Sequence, residues 1–264
     1  SIRLTPPELS LSPVVFRRDD GTSVFRPVNS AIFTSEAQLA AEDRLLERAA
    51  NLTGPTVRLA TVEKITRRPD ADGRMLGDDQ ADALTRIAVS GRMLDVLVGP
   101  AGAGKTTAMN ALRRAWEAEH GAGSVVGLAP SAVAAQVLAD DLGIACENTA
   151  KWWQNHLVHG TDFEAGQLVI IDEASLAGTL SLDRITHLAQ NAGAKVLLVG
   201  DYAQLQSVDA GGAFAMIARD RADTPELVDV HRFTHLWEKT ASLELRHGRT
   251  AALDTYLAHQ RVTG

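Results

Sequence analysis

The sequence contains very little cysteine and no long apolar run. Cys146 is the one cysteine among 264 residues, so the chain cannot form an internal disulfide bond. This excludes the small secreted domains that depend on disulfides and fits a reducing compartment, so we expect a cytoplasmic protein. No stretch approaches the roughly 20 consecutive apolar residues that a membrane-spanning helix requires. With 45% hydrophobic and 22% charged residues, the composition is that of a globular protein.

The sequence also lacks an excess of basic charge. Its formal net charge is −7 at pH 7. This balance argues against a surface coated with basic residues for nonspecific binding of duplex nucleic acid. It is still compatible with a narrow groove for one strand, because such grooves use few charges and some stacking on aromatic rings.

The clearest chemical signal in the chain is a phosphate-binding loop. Residues 99–106 read G-x-x-x-x-G-K-T, after the apolar run 94–98 and before an Ala-rich helical stretch. In a strand–loop–helix unit of this kind, backbone N–H groups and the helix N-terminus face the phosphates. The context disfavours the alternative, a chance match in a glycine-rich loop. The predicted nucleotide-binding residues are Gly99, Pro100, Ala101, Gly102, Ala103, Gly104, Lys105, Thr106 and Thr107.

Two residues of the loop and two acids further along the chain have predicted roles at the nucleotide. Lys105 can reach the β- and γ-phosphates, and the Thr106 hydroxyl can ligate Mg²⁺. The apolar run 168–171 ends in Asp172 and Glu173, at the strand end where parallel sheets hold their ligands. We expect Asp172 to hold Mg²⁺ and Glu173 to polarise an attacking water. Read without the loop upstream, this acidic pair would be an ordinary solvated strand end.

A third apolar run, 195–199, is followed by a turn that carries Gln204. An amide can donate to a phosphate oxygen and accept from water, so Gln204 is a candidate sensor of the γ-phosphate. An ordinary turn is the alternative. The lone Cys146 is interpreted as a small buried apolar side chain.

The rest of the chain alternates between strand and helix signals, which predicts a mainly parallel α/β sheet with helices on both faces. Before it, apolar residues flanking Asp20-Gly21 suggest a hairpin formed by residues 14–16 and 24–25, and Ser35 is followed by a capping-box helix. We therefore expect an N-terminal extension (1–75, hairpin plus helix), a P-loop ATPase domain (76–234) and a helical tail (235–264). Predicted strands are 94–98, 125–129, 168–171, 196–199 and 227–230, and predicted helices are 105–119, 131–142, 149–158, 181–190 and 212–219.

Six segments in order resemble the motifs of superfamily-one DNA helicases, in the RecD-like and TraI-like branch. The flanking residues 33–46 and 251–259 resemble the helicase part of TraA/TrwC-type conjugative relaxase–helicases, so the resemblance spans nearly the whole chain. The six segments are 76–80 (Q-motif), 99–106 (motif I), 125–135 (motif Ia), 172–175 (motif II), 200–205 (motif III) and 227–233 (motif IV).

This resemblance implies a RecA-like motor domain that binds ATP and Mg²⁺ and tracks along single-stranded DNA in the 5′-to-3′ direction. It also implies that Arg232 reaches the γ-phosphate and that Gln80 reads the adenine. The matching DNA positions are Pro130, Ser131 and Thr149, with Trp152 added as a stacking candidate. Because Trp152 and Trp153 are adjacent on a helix, at least one of them should face the core.

No segment resembles motifs V and VI, and no His cluster with a catalytic Tyr resembles a relaxase. We therefore expect a longer protein with a second RecA-like domain and an N-terminal relaxase as a candidate further domain. Residues 1–264 alone are expected to hydrolyse ATP only weakly and not to unwind DNA. Two alternatives stay open: a nucleotide-gated DNA-binding or loading module without unwinding, and a P-loop kinase or small NTPase. The second is disfavoured by the paired D-E-A-S and G-D-x-x-Q-L segments.

Overall fold

The computed structural model describes residues 2–3, 14–18, 33–70, 73–201 and 212–227, and its centre is a sheet flanked by helices. The strands are β1 (Ile2–Arg3), β2 (Phe33–Thr34), β3 (Leu94–Val98), β4 (Val125–Ala129), β5 (Ala145–Asn148), β6 (Leu168–Ile171) and β7 (Lys195–Gly200). The α-helices are α1 (Glu36–Ala50), α2 (Leu59–Thr66), α3 (Asp78–Val89), α4 (Lys105–His120), α5 (Ala132–Leu142), α6 (Thr149–His159), α7 (Thr179–Ala192) and α8 (Ala213–Asp220). Among these helices none has both the length and the apolar character needed to cross a membrane.

Five parallel strands form the main sheet in the order β3-β7-β6-β4-β5. Every residue of β3, β6 and β7 is buried, as expected when helices cover both faces of a parallel sheet. The free side of β3 pairs with the segment after α8: the Val98 amide donates to Pro225 (3.0 Å) and the Leu227 amide donates to Val98 (2.8 Å). The predicted parallel α/β fold is confirmed.

The sheet separates two apolar cores. One core contains Leu97 and Ile170 together with residues of α2, α3, α4 and α5. The other contains Val96 and Val169 together with residues of α1, α6, α7 and α8. Neighbouring residues of a strand fall into opposite cores because successive side chains point to opposite faces of a sheet.

The N-terminal helix α1 belongs to the second core. Its predicted cap is confirmed, since Ser35 Oγ accepts from the Gln38 amide at 3.1 Å. Leu45 is fully buried, and Arg48 and Arg44 each pair with Asp183 on α7 at 2.6 Å. The predicted boundary at residue 75 stays a prediction, but α1 packs against the sheet as closely as the later helices do.

The hairpin prediction for the N-terminal extension is wrong in one arm. Val14–Phe16 forms a short 3₁₀ turn instead of a strand, and the two-stranded pair that does form is β1 with β2. A three-residue apolar run does not distinguish a strand from a turn by periodicity. The other arm, residues 24–25, and the predicted tail, 235–264, lie outside the described residues.

A buried charge cluster lies at the end of the sheet opposite the P-loop. Lys195 on β7 and Asp95 on β3 are both fully buried, and their Nζ and Oδ2 atoms are 3.3 Å apart. Lys195 Nζ also donates to the carbonyls of Ile87 (2.7 Å) and Ser90 (2.6 Å), and Arg221 pairs with Asp95. Burial lowers the pKa of Lys195 to about 8, and the Asp95 carboxylate limits the fall. This cluster joins the neighbouring strands β3 and β7, the end of α3 and the residue after α8.

Candidate functional site

The P-loop lies at the carboxyl edge of the sheet, between the end of β3 at Val98 and the start of α4 at Lys105. Gly102 (φ +83°) and Gly104 (φ +76°) have left-handed backbone conformations that side chains other than glycine rarely adopt. Gly99 is also sterically restricted, because a Cβ there would lie 3.2 Å from the Leu227 Cβ and 3.3 Å from the Lys105 Cγ. The backbone therefore favours glycine at 102 and 104, and the close neighbours of Gly99 leave little room for a larger residue there.

Lys105 lies folded over the loop that it follows. Its Nζ donates to the carbonyls of Gly99 (2.7 Å) and Pro100 (3.2 Å). Thr106 on the first turn of α4 is exposed, whereas Ala103 is buried beneath the loop. The loop thus presents an ammonium group and a hydroxyl at a helix N-terminus, where the helix dipole attracts anions.

The two predicted acids occupy the end of β6. Burial raises the pKa of the half-buried Asp172, while the backbone N–H of Glu173 and the charge of Lys105 act in the opposite direction and Asp141 adds to the rise. The Glu173 amide donates to Asp172 Oδ1 at 2.9 Å. The charge of Lys105 therefore acts on the pKa of Asp172. The structure thus brings the P-loop close to the acidic pair that follows β6, the two motifs that the sequence analysis combined.

Glu173 has a backbone feature that the sequence did not reveal. Its φ is +50°, the one left-handed non-glycine residue among the described residues. A backbone strain of this kind is costly for an ordinary side chain and is often found at functional sites. The turn places Glu173 in solvent immediately after the buried strand.

The oxygen groups here have the chemistry that Mg²⁺ prefers. A hydroxyl on α4 and a carboxylate at the end of β6 are hard oxygen donors, and magnesium usually takes one or two carboxylates and completes its shell with water and phosphate. Because burial raises the Asp172 pKa, the carboxylate would be stabilised by a nearby cation. Thr106 and Asp172 therefore fit a magnesium site.

Gln80 contacts the P-loop from α3. The side chain is 3% exposed, its Oε1 accepts from the Gly77 amide at 3.0 Å, and its Nε2 donates to the Gly104 carbonyl at 3.2 Å. The structure therefore shows Gln80 supporting the loop backbone. Its contact with adenine stays a prediction.

A pocket of about 300 Å³ lies beside the loop and was not identified from the sequence. Its arginines lie on α4 and in the segment before α3. The sequence could have indicated this pocket, because Asn110 and Arg113 lie four and seven residues after Thr106 and therefore share its face of α4. The pocket is lined by Asp70, Arg74, Leu76, Thr106, Thr107, Asn110, Arg113 and Arg114.

The candidate DNA positions lie further along the same edge. Pro130 and Ser131 follow β4, and Thr149 is the first residue of α6 after β5. Asn148 Nδ2 donates to the Pro130 carbonyl at 3.2 Å, which joins the two segments. Ser131 is exposed and caps α5, its Oγ accepting from the Ala134 amide at 3.1 Å.

Trp152 does not fit its predicted role as a stacking surface. It is 8% exposed and stacks on Phe163 with ring centroids 4.3 Å apart, so a base could reach its face only by displacing that ring. Trp153 is half-buried and lies under Arg184 instead. The expectation that at least one of the two tryptophans faces the core is confirmed. The remaining candidates, Gln204 and Arg232, lie outside the described residues.

Comparison with known proteins agrees with this arrangement. A sequence model of the family described as "AAA domain" matches residues 75–264, nearly three quarters of the chain. The chain belongs to the AAA domain family. The chain is 36% identical over 243 residues to the conjugal transfer protein TraA of Rhizobium radiobacter, covering 89% of the chain and 21% of the relative.

Further relatives support the same branch. The chain is 33% identical to TraA of Agrobacterium fabrum, over 96% of the chain and 23% of the relative. It is 31% identical to the ATP-dependent RecD2 DNA helicase of Deinococcus radiodurans, over 77% of the chain and 30% of the relative. The resemblance to TraA-type and RecD-like proteins is confirmed. The chain spans about a fifth of the length of these TraA proteins.

Among solved structures, the Pif1 helicase of Candida albicans superposes with a TM-score of 0.47 at 17% identity, covering 66% of this chain and 44% of that one. A nucleotide site is implied by the P-loop and the family together.

Proposed function

We propose that this chain is the ATP-binding motor domain of an ATP-dependent DNA helicase within a conjugative DNA-transfer protein. The observation that carries the proposal is the pairing of the P-loop with Asp172 and Glu173 at one edge of a parallel sheet. The names of the relatives support the biological setting: three are TraA conjugal transfer proteins and one is an ATP-dependent DNA helicase.

In this proposal the side chains around the P-loop divide the work on ATP. Lys105 leaves the Gly99 and Pro100 carbonyls and binds the β- and γ-phosphates, which offer its ammonium group stronger charge-assisted hydrogen bonds. Thr106 and Asp172 hold Mg²⁺, and the ion, when bound, neutralises charge that develops on the phosphates. Glu173 accepts a proton from the attacking water.

Three further residues complete the proposed nucleotide site. Gln204 and Arg232 detect or stabilise the γ-phosphate, an assignment that rests on the motif resemblance alone. Gln80 reads adenine with the hydrogen-bonding capacity that its contacts to Gly77 and Gly104 leave over, since an amide offers two donors and two lone pairs. The proposed space for the nucleoside is the pocket of about 300 Å³ that Thr106 and Thr107 line.

Single-stranded DNA is the proposed partner, and movement along it is 5′-to-3′. The DNA strand is contacted by Pro130, Ser131 and Thr149. The hydrogen bond from Asn148 to Pro130 joins the segments after β4 and β5 that carry these residues. The other proposed parts, a second RecA-like domain and an N-terminal relaxase, belong to the same longer protein. This agrees with the small share of each TraA relative that the chain covers.

Calorimetric titration with ATP–Mg²⁺ tests the nucleotide assignment. Lys105→Ala removes the charged donor, and charge-assisted hydrogen bonds contribute about 1.5–3 kcal/mol, so affinity should fall about 10-fold to 150-fold. The matched control is Lys151→Ala, which removes an exposed lysine paired with Glu147 on the surface. Equal affinities of the Lys105→Ala variant and the wild type would show that the loop does not bind the nucleotide.

Activity in the longer protein separates a motor from a loading module. We expect ATP-driven strand displacement that is lost in Glu173→Gln while nucleotide binding is kept. Binding of single-stranded DNA without any ATP-driven movement, in a protein that contains both motor domains, would favour the nucleotide-gated loading module instead.

A further inference from the structure

A small pocket lies between the first turns of α6 and α7. Its volume is about 230 Å³, below the roughly 300–1,000 Å³ typical of pockets that take drug-sized ligands. The walls combine one aromatic ring, one cation and several small side chains. The pocket is lined by Thr149, Ala150, Trp153, Ser181, Arg184 and Ile185.

Trp153 and Arg184 form the chemically distinctive part of this pocket. The guanidinium carbon of Arg184 lies 5.5 Å from the Trp153 ring centroid, within the range of a cation–π contact. Trp153 is half-buried and its ring also stacks on His156, with centroids 5.4 Å apart, so the face towards Arg184 is the one that a ligand can reach. Arg184 is exposed, and its guanidinium can therefore move from the ring to an anion in solvent.

The pocket lies next to the candidate DNA segments. Helix α6 begins directly after β5, and α7 begins six residues after Glu173, so both helix starts lie near the carboxyl edge of the sheet. Thr149 belongs both to the pocket and to the predicted DNA positions. The bond from Asn148 to Pro130 joins this pocket to the segment after β4.

We propose that this pocket binds one nucleobase of single-stranded DNA, with the base replacing the exposed Arg184 on the Trp153 ring and Arg184 pairing with a phosphate beside it. The inference rests on the proposed function, because it assumes that a strand follows this edge of the sheet. A planar base can stack on an indole face whatever its sequence, and a base within a duplex is not accessible in this way. The pocket therefore selects for unpaired nucleotides and is indifferent to sequence.

Fluorescence anisotropy with two oligonucleotides of equal length, one oligo-dT and one abasic, tests the stacking. Base–aromatic stacking amounts to about a 5-fold to 150-fold effect on affinity per base. We expect Trp153→Ala to lose about that factor on oligo-dT and to bind the abasic strand as the wild type does. Trp153→Phe should recover most of the loss. Leu157→Ala, an exposed apolar residue on the same helix and outside the pocket, is the matched control.

Arg184→Gln has a separate signature. One lost phosphate contact should weaken binding to both strands and reduce the slope of log affinity against log salt by about 0.7. An unchanged slope would overturn the assignment of Arg184 to a phosphate.

The outcomes distinguish this inference from the proposed function. Failure of the wild-type chain to bind either oligonucleotide would contradict DNA binding as a whole. Wild-type binding that Trp153→Ala leaves unchanged would overturn the pocket alone. An equal loss on both strands, accompanied by a lower unfolding temperature, would show that the Trp153–Arg184 contact only joins two helices, and would also overturn it.

Discussion

Replacing Lys195 with methionine tests the buried charge cluster most directly. Methionine keeps much of the length and apolar volume of lysine but has no donor and no charge. The change leaves the carbonyls of Ile87 and Ser90 without the ammonium that lies 2.7 Å and 2.6 Å away, and it removes one of the two cations on Asp95.

The magnitude follows from these three lost interactions. A buried acceptor left without its donor costs about 1–3 kcal/mol, and removing one partner from a buried ion pair costs about 3–5 kcal/mol. Arg221 still neutralises Asp95, and the cost of burying the ammonium disappears. We therefore expect the free energy of unfolding to fall by about 3–5 kcal/mol, the range for one broken buried pair.

The pH dependence supplies an independent check with a defined sign. The pKa of Lys195 is about 8 in the folded protein, below its ordinary value of 10.5. Between these values the unfolded chain binds more protons than the folded one, so wild-type stability should rise from about pH 8 to pH 10.5. At about 1.4 kcal/mol per pKa unit, the full contribution is about 3 kcal/mol. Lys195→Met removes this contribution, so its deficit relative to the wild type should widen over the same range.

Urea denaturation followed by circular dichroism measures both effects. Lys151→Met is the matched control, because that lysine is exposed and its ion pair with Glu147 lies on the surface, where such pairs contribute about 0–1 kcal/mol. A loss below about 1 kcal/mol in Lys195→Met, or a deficit that does not change with pH, would refute the reasoning.

Three further variants test other parts of the structure. Glu173→Gln should keep nucleotide affinity in calorimetry and lose ATP turnover in the longer protein, since it keeps the shape and removes the proton acceptor; unchanged turnover would make Glu173 merely structural. Gly127→Ala should destabilise the fold by about 1–3 kcal/mol in urea, because its Cβ would collide with Cys146 Sγ. Gly178→Ala, with nothing within 4 Å of its Cβ, should cost less, no more than about 1 kcal/mol for replacing the glycine N-cap of α7. Arg48→Ala should cost about 3–5 kcal/mol, and a loss within the error of the method would contradict the buried pairing with Asp183.

Four strands that sequence analysis located share their burial. β3, β4, β6 and β7 are covered on both faces and therefore appear as short apolar runs. β5 was missed because none of its residues is fully buried, and Ala145–Asn148 contains Glu147 and Asn148 where a covered strand would be apolar. The sequence therefore indicated the buried strands, including β3 at the other edge of the sheet, and not the partly exposed one.

The site was predictable where backbone geometry depends on the residue type and less so where it depends on packing. The glycines indicate the P-loop, and the acids after an apolar run indicate a strand end, from residue type alone. Which of Trp152 and Trp153 faces the core depends instead on Phe163, a residue after α6 that stacks on Trp152. The double contact of Gln80 likewise depends on how α3 packs against the loop, 24 residues later in the chain.

The family match begins at residue 75, but α1, which precedes it, packs into the second core. Leu45 fills a position in the second core, and Arg44 and Arg48 neutralise Asp183 on α7. A gene fusion that moved residues 75–264 alone into another protein would leave an apolar hole and an uncompensated acid on the face of α7. A transplanted segment therefore keeps these contacts only if residues 36–50 move with it, or if the recipient supplies a helix of the same shape and charge.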